Sequence, residues 1–585
     1  MVVSIGTISS AAQGVSYFER DGYYAKDDPQ HEKASAWTGM GAEALGLSGA
    51  VDADTFRDIL EGTVPDGSGR RLGRPGKDGS LVHRPGRDLT FSAPKSVSLV
   101  ALLGDDAAVT AAHDKAVKRT LAWLEETTIR TRMKDPETGR LGFAGGQKMV
   151  AATFRHDTSR NLDPQLHTHA VVANMVLGED GGTPRSGKWR TMANESLYRR
   201  QKLIGMVYRS ELAQELQALG YRVEKTHADG RFEIAGASRG VIDAFSTRRA
   251  EIEAAMNARG LGDPASNPHL AERAALMTRA HKRDVDRDVL RESWREQASS
   301  LGFSPERVTG AARERREMGT EAPAQAERRS GEREAPGNRD RETELRDDVQ
   351  HRQDLATAAV SWATAHLSER EAVFSHSDLL ASSLCWKPGS LSVERAESAI
   401  DALQREGRLH AAPGLLGGEG MTTETALADE RETIGLMTKG QNQGQVLMRK
   451  RRVSQHLHKG PLTEGQREAV ATILSSRDRV VGVQGYAGTG KTTMLKRARV
   501  LAEKNGYRML GLAPSASAVK TLSVEAGIES ETLQRFLARN AGVAEGRLTD
   551  QGRRDMRDAF SKTVLVVDEG SLASTVQARD LLRIA

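Results

Sequence analysis

Two unlike folded parts are predicted by the sequence: an α+β domain over residues 1–303 and a parallel α/β domain over residues 455–585. Three observations predict them. Ahead of residue 303, strand-like apolar runs (DLTFSAPKSVSLVALL, KMVAATFRH, LHTHAVVANMVL) mix with helix-like stretches such as AAVTAAHDKAVKRTLAWLEETTIRTR, the mixture of periods expected of an α+β domain. Beyond Leu462, apolar strands alternate with helical segments, as in a parallel sheet with crossover helices. Between the two, residues 304–349 shift to Arg, Glu, Ala, Gly and Pro, as in RERREMGTEAPAQAERRSGEREAPGNRDRETE. With scarcely an aromatic or β-branched residue, that stretch cannot bury enough apolar surface to offset its ordering entropy, so a disordered charged linker is expected. Residues 350–440 are helix-rich, and AIDALQREGRLH followed by APGLLGGEG suits a small helical or winged-helix-like module.

The length of 585 residues allows several domains, each large enough for its own core. No run of 18 apolar residues is present, so membrane insertion is not expected. The start, MVVSIGTISSAAQG, lacks the cationic and apolar segments of a secretory signal, which points to the cytoplasm. The single cysteine, Cys385, forms no internal disulfide and excludes a cysteine-rich zinc module; it reads as an inert thiol. A net charge of +5 leans towards anionic partners, but 84 cationic against 79 anionic side chains does not by itself establish nucleic-acid binding.

The most informative stretch is FRHDTSRNLDPQLHTHAVV, in which His156 precedes His167 and His169. If LHTHAVVANMVL is a strand, period two puts His167 and His169 on one face. NLDP is a turn signal, so KMVAATFRH folds back as the antiparallel neighbour and brings His156 opposite the pair. Three imidazoles on one sheet face, with coordination positions left over, make a catalytic rather than a closed structural metal site. Three surface histidines beside a hairpin are the bland alternative. Asp88, in GRDLTFSAPKSVS, can fix a ligand histidine by accepting its second N–H, and Asp157 competes for that role; either also reads as an ordinary loop carboxylate. The donor set suits a divalent ion, Zn, Mn or Ni, and a phosphate-bearing substrate also admits Mg.

Tyr17, Tyr23 and Tyr24 fall within SYFERDGYYAKDD. Clustered aromatics are commonly packing residues, but a nearby cation changes that reading. A phenol with a pKa near 10 is only ~0.1% ionised at pH 7, at a cost of about 4 kcal/mol. A cation gripping a phosphate oxygen stabilises developing charge and favours the phenolate. Attack on phosphorus then leaves a phosphotyrosine ester that conserves the bond energy for rejoining.

In the C-terminal part, VVGVQ, then G-Y-A-G-T-G-K-T-T from Gly485, then MLKRARVLAEKNG gives strand, glycine loop and helix in the order of a phosphate-binding loop. Gly485, Gly488 and Gly490 let backbone N–H groups approach phosphate, Lys491 reaches the β and γ phosphates, and Thr492, followed by Thr493, ligates Mg²⁺. TVLVVDEGS supplies an apolar strand ending in Asp568 and Glu569, suited to holding the water shell of the metal and orienting the attacking water. ATP and Mg are the ligands expected there.

SYFERDGYYAKD, WTGMGAEALGLSG, DLTFSAPKSVSL and FRHDTSRNLDPQLHTHAVVANM resemble the conjugative relaxase-helicase family of the TrwC/TraI (MobF) type, over about residues 1–300. The resemblance implies a five-stranded antiparallel sheet with helices, a histidine triad of His156, His167 and His169 holding Mg, Mn or Zn, and Asp88 as the orienting carboxylate. It implies Tyr17 as the nicking nucleophile, with Tyr23 and then Tyr24 as second-transfer tyrosines. Family members carry two tyrosine doublets; here Phe18 stands where the first doublet would be completed. A 5′-phosphotyrosine product, and single-stranded and hairpin DNA at a plasmid or integrative-element transfer origin, are implied as well. A secretion-system coupling protein and accessory DNA-binding proteins are the implied partners.

LTEGQREAV, GYAGTGKTT, LAPSASAVKTL and VLVVDEGS resemble, in order, the first RecA-like lobe of superfamily 1 helicases moving 5′ to 3′, with Gln466 as the adenine-contacting glutamine. The chain ends sixteen residues after Glu569, so ATP binding without useful unwinding is expected of it. A rolling-circle replication initiator shares the metal and tyrosine chemistry. A non-catalytic DNA-binding module on a repair helicase is the alternative of a different class. Trp37, Trp189 and the arginines between Arg70 and Arg87 suit either single-stranded DNA or ordinary packing and solvation.

Overall fold

The computed structural model describes residues 3–12, 14–15, 34–76, 81–134, 137–178, 188–258, 270, 287–329, 338–414, 419–458, 460–486 and 488–585. They form two compact units, Met1–Ala363 with Ser377–Ile400 and Thr364–His376 with Asp401–Ala585. Residues 350–440, expected as one module, are divided between them. They hold helices His376–Cys385 and Val393–Arg405 and a three-stranded antiparallel sheet of Phe374–Ser375, Glu419–Thr423 and Leu409–Pro413.

The first unit is built on strands β1 (Val3–Thr7), β2 (Ser35–Thr38), β3 (Gly86–Ser92), β4 (Lys148–Thr158) and β5 (Pro164–Leu177), in the order β1-β3-β5-β4-β2. Every neighbour is antiparallel. The five-stranded sheet implied by the family resemblance is present, and a two-residue β6 (Trp189–Arg190) is added against β5. β5 is central, and all but one of its residues are buried, which is why QLHTHAVVANMVL reads as nearly continuous apolar sequence. On one face lie helices α1 (Lys95–Leu103), α2 (Ala107–Thr127) and α3 (Gln201–Ala218). Asp106 caps α2 by accepting from the Ala108 and Val109 amides, so the long helix starts against the sheet at a fixed point. The opposite face carries the apolar clusters around Phe56 and Phe154 and, beside them, the histidines.

Part of the predicted linker differs from expectation, while its residues 330–337 lie outside the described residues. A helix runs over Pro305–Arg329, and its first turns join the core: Ala312 is buried, Val308 packs against the same cluster, and the Tyr221 hydroxyl, which donates to Asp106 at 2.7 Å, accepts from Thr309 Oγ1 at 3.2 Å. Ala, Glu and Arg are good helix formers, and two apolar residues one turn apart anchor a helix that composition alone marks as polar.

In the second unit, β7 (Arg508–Ala513) lies between β8 (Glu529–Thr532) and β9 (Thr563–Val567), all parallel. The helix Lys491–Glu503 packs with Glu464–Ser475 and residues of β7 in one core. The stretch VVGVQ, expected as a strand, is not one: Val480–Gln484 has no regular structure, and no ladder partner is registered for it among the described residues. A strand is defined by pairing, which an apolar pattern cannot supply alone. No helix among the described residues is long and apolar enough to cross a membrane.

Candidate metal centre

The register of β4 and β5 sets His156 directly opposite His167, and puts Phe154 opposite His169. Alternation then turns all three imidazoles to the face away from α1–α3. Their ring centroids lie 4.9 Å (His156 to His167), 4.7 Å (His156 to His169) and 5.2 Å (His167 to His169) apart. One ligand atom from each falls within 4.8 Å of the others, and all three residues are buried. Two nitrogens each about 2.1 Å from one ion are at most about 4.2 Å apart, so a shift under about 1 Å by each ring brings the set to coordination distance.

The second ring nitrogens fix the tautomers. His169 Nδ1 donates to the Asp88 carboxylate, 2.8 Å to Oδ2 and 3.0 Å to Oδ1. His167 Nδ1 donates to the Gln165 carbonyl at 2.9 Å. Each contact places the proton on Nδ1 and leaves Nε2 with the lone pair a cation needs. Asp88 reaches His169 because β3 pairs with β5 with Thr90 opposite His169, and Asp88 is two residues along the same face. Thr90 Oγ1 lies 3.3 Å from the same Nδ1, a contact the sequence reading missed, although its period-two spacing from Asp88 is a usable signal. Asp157 does not take the orienting role; it pairs with Arg287 at 2.8 Å.

The turn between the two histidine strands is held from three sides. Ser159 Oγ accepts from the amides of Asn161 and Asp163, and Leu162 adopts a left-handed φ of 62°. Trp294 Nε1 donates to the Leu162 carbonyl at 2.9 Å, and Thr247 Oγ1 donates to Asp163 at 2.7 Å. Lys95 Nζ donates to the Pro164 carbonyl at 2.8 Å. Burial pushes the Lys95 ammonium down to about 8, opposed by the charges of Asp163 and Glu233.

Tyr17, Tyr23 and Tyr24 lie outside the described residues. Val15 is described, and it is buried in the apolar cluster with Phe56, Phe154 and Val171. Phe154 and Val171 stand two positions from His156 and His169 on the same strand faces. Trp189 is 6% exposed and packed in a core cluster, and Trp37 sits 6.1 Å from the Phe56 ring, so both act in packing.

In the phosphate loop, Gly488 and Gly490 adopt left-handed φ of 77° and 75°, which side chains with a Cβ rarely take. Lys491 opens the following helix and turns back so that Nζ donates to the carbonyls of Gly485 (2.9 Å) and Tyr486 (3.0 Å). Gln466 works at both ends of its amide: Oε1 accepts from the Thr463 amide in a capping box, and Nε2 donates to the carbonyls of Thr489 at 2.9 Å and Gly490 at 3.4 Å. Thr492 and Thr493 stand in the first turn after Gly490. Asp568 and Glu569 follow β9 directly, with the Asp568 amide bonded to Leu512 of β7 and Glu569 at φ 52°.

The family model described as TrwC relaxase matches residues 11–301, and one described as AAA domain matches residues 461–585. The multifunctional conjugation protein TraI of Escherichia coli is 31% identical over 602 aligned residues, covering 99% of this chain and 30% of that protein. The chain thus spans under a third of this relative's length. The conjugal transfer protein TraA of Agrobacterium fabrum is 40% identical over 119 residues, covering 20% of this chain and 10% of that protein. Among solved structures, TrwC complexed with a 27-mer DNA comprising the recognition hairpin and the cleavage site is 38% identical, with a TM-score of 0.45, covering 52% of this chain and 99% of that one.

Proposed function

The chain belongs to the TrwC/TraI family of conjugative relaxase-helicases, and from that premise we propose that it nicks one DNA strand at a transfer origin, retains the 5′ end as a tyrosine ester, and passes it on by strand transfer. The convergence of His156, His167 and His169 on one buried sheet face, with Asp88 bonded behind His169, carries this reading. The three converging imidazoles suit one divalent cation, Mg, Mn or Zn. When bound, such an ion supplies Lewis-acid stabilisation of a phosphate oxygen. Asp88 and the Gln165 carbonyl hold the rings in the ligating tautomer, so little reorganisation is needed when DNA arrives.

Tyr17 is the nucleophile in this proposal. Its Oη attacks phosphorus and gives up its proton, the P–O bond to the 3′ oxygen breaks, and that oxygen takes up the proton and leaves as a 3′ hydroxyl. Val15, fixed beside Phe154 and Val171, supports the assignment, because two further residues span at most about 7 Å of chain. Tyr23, and after it Tyr24, are the proposed acceptors for a second transfer. In the other unit we assign ATP with Mg to the loop of Gly485, Gly488 and Gly490. Lys491 contacts the terminal phosphates, Thr492 and Asp568 serve the magnesium shell, Glu569 orients water, and Gln466 contacts adenine.

The test is a labelled single-stranded transfer-origin oligonucleotide incubated with the chain and Mg²⁺ or Mn²⁺, followed by a denaturing gel. A covalent protein–DNA band that disappears in Tyr17→Phe is expected. A DNA-binding module would shift the oligonucleotide on a native gel and leave no such band, and undiminished adduct from Tyr17→Phe would remove Tyr17 from the mechanism.

A further inference from the structure

Behind the histidine face lies a second, fully buried polar cluster that the proposed mechanism does not use. Thr168 stands between His167 and His169, so its side chain points the opposite way, into the helix layer. There its Oγ1 meets His113 Nε2 at 2.8 Å, and His113 Nδ1 meets the Tyr208 hydroxyl at 2.7 Å. His113 comes from α2 and Tyr208 from α3, and both are 0% exposed. Tyr208 also packs on Phe91, 5.5 Å between rings, and Phe91 is the β3 residue paired with Thr168. Two helices and a neighbouring strand are thereby tied to the single residue separating two of the converging imidazoles.

A polar chain of this kind is costly to bury unless each member is satisfied, and where satisfied it fixes geometry more tightly than apolar packing does. Desolvation, reinforced by Arg155, pushes His113 down to about 3, so the ring is neutral, with one donor and one acceptor nitrogen. Such a ring has a defined orientation between two hydroxyls. Leucine or valine in these places would fill the space and allow the strand to slide or twist by tenths of an ångström. That is the scale on which ligand spacing matters.

We propose that the Tyr208–His113–Thr168 chain is a positioning device for the metal centre, holding the strand at Thr168 so that His167 and His169 keep the spacing a divalent cation requires. The proposal rests on the histidine triad being a metal site, and its test separates the two ideas. Mn²⁺ affinity is measured by electron paramagnetic resonance on the metal-free full chain, with thermal unfolding in chelator followed in parallel. The chain carrying His156→Ala, His167→Ala and His169→Ala gives the background. Thr168→Val, which keeps the shape and deletes the hydroxyl, is expected to weaken Mn²⁺ binding at least about 10-fold, as loss of outer-sphere partners does elsewhere. Thr168→Ser, which restores the oxygen, should stay within about 2-fold of wild type. If Thr168→Val does not fold, Tyr208→Phe carries the same comparison at the far end of the chain, with the same threshold. Equal affinity in wild type and the variant, with only the melting temperature lowered, would overturn the positioning role and leave the metal site standing. No binding above background by wild type would instead bring down the metal site itself.

Discussion

The histidine hairpin and the phosphate loop are both short motifs, but the chain holds them in opposite ways. The hairpin is paired on both strands, buried, and clamped at its turn by Trp294, Thr247 and Lys95, with ring tautomers set by Asp88 and Gln165. Among the described residues no ladder partner is registered for the segment leading into the loop, Tyr486 is 87% exposed, and Lys491 is bonded to its own loop carbonyls. A paired strand fixes side-chain direction before any ligand arrives. A glycine loop fixes only where backbone N–H groups can go, and under the proposed ATP assignment its lysine exchanges carbonyl contacts for phosphate.

The hairpin is the easier of the two to disarm, because removing one pre-set ligand should leave the fold and take away the ion. His169→Ala is expected to weaken Mn²⁺ binding by more than about 100-fold, exceeding the 10–100-fold cost of losing an outer partner, which is the range expected for Asp88→Asn. Titration calorimetry on metal-free chain reads both, and an unchanged far-UV circular dichroism spectrum shows that the sheet persists. Equal affinities for His169→Ala and wild type would show that convergence in the sheet does not amount to a site.

At the loop, Lys491→Ala removes a charge-assisted contact that exists only with ligand present. A loss of about 1.5–3 kcal/mol in ATP affinity, roughly 10–150-fold, is expected, with Mn²⁺ binding at the histidines unaffected. ATP affinity equal to wild type would mean that the lysine keeps its carbonyl contacts and never exchanges them.

The pre-set region also carries a pH signature. In the unfolded chain the His113 ring takes up its proton near its ordinary value of 6.5, whereas in the folded chain burial keeps it neutral to about 3. Between those values the unfolded state binds more protons, so stability present above pH 6.5 falls as the pH is lowered, by about 1.4 kcal/mol per unit. From pH 6.5 to 5 that is about 2 kcal/mol. His113→Gln keeps a donor and an acceptor but does not titrate, so hydrogen exchange of the β5 amides should lose this pH slope. Parallel slopes in both proteins would place the acid sensitivity elsewhere.

How much of this was legible in the sequence follows the same division. The turn signal NLDP and the spacing of His156, His167 and His169 were enough to anticipate which strands pair and which face the rings share, because period two is a geometric constraint. Asp88 over Asp157 was not decidable, since it depends on β3 lying beside β5, a long-range pairing. Thr168, His113 and Tyr208 gave no signal, being far apart in sequence and unremarkable in their own elements. Val480–Gln484 and Pro305–Arg329 went against expectation for one reason: local pattern reports propensity, and pairing or packing partners decide whether it is realised.

Gln466 is where a pre-set contact meets the loop. Its Oε1 accepts from the Thr463 amide and closes the capping box of the helix Glu464–Ser475, while its Nε2 donates to the Thr489 carbonyl of the loop. Glutamate preserves the first contact, since a carboxylate closes a capping box as well as an amide does, and abolishes the second by facing the carbonyl with another acceptor. Gln466→Glu should therefore leave stability within about 0.5 kcal/mol of wild type. ATP affinity should fall about 2- to 12-fold, the worth of one neutral hydrogen bond at 0.5–1.5 kcal/mol. Gln466→Ala loses both contacts and should add a stability loss of about 1 kcal/mol. Denaturant unfolding and nucleotide titration of the two variants separate cap from tether. If they behave alike in both measurements, the cap and the loop are one rigid element, and the phosphate loop is as pre-set as the hairpin.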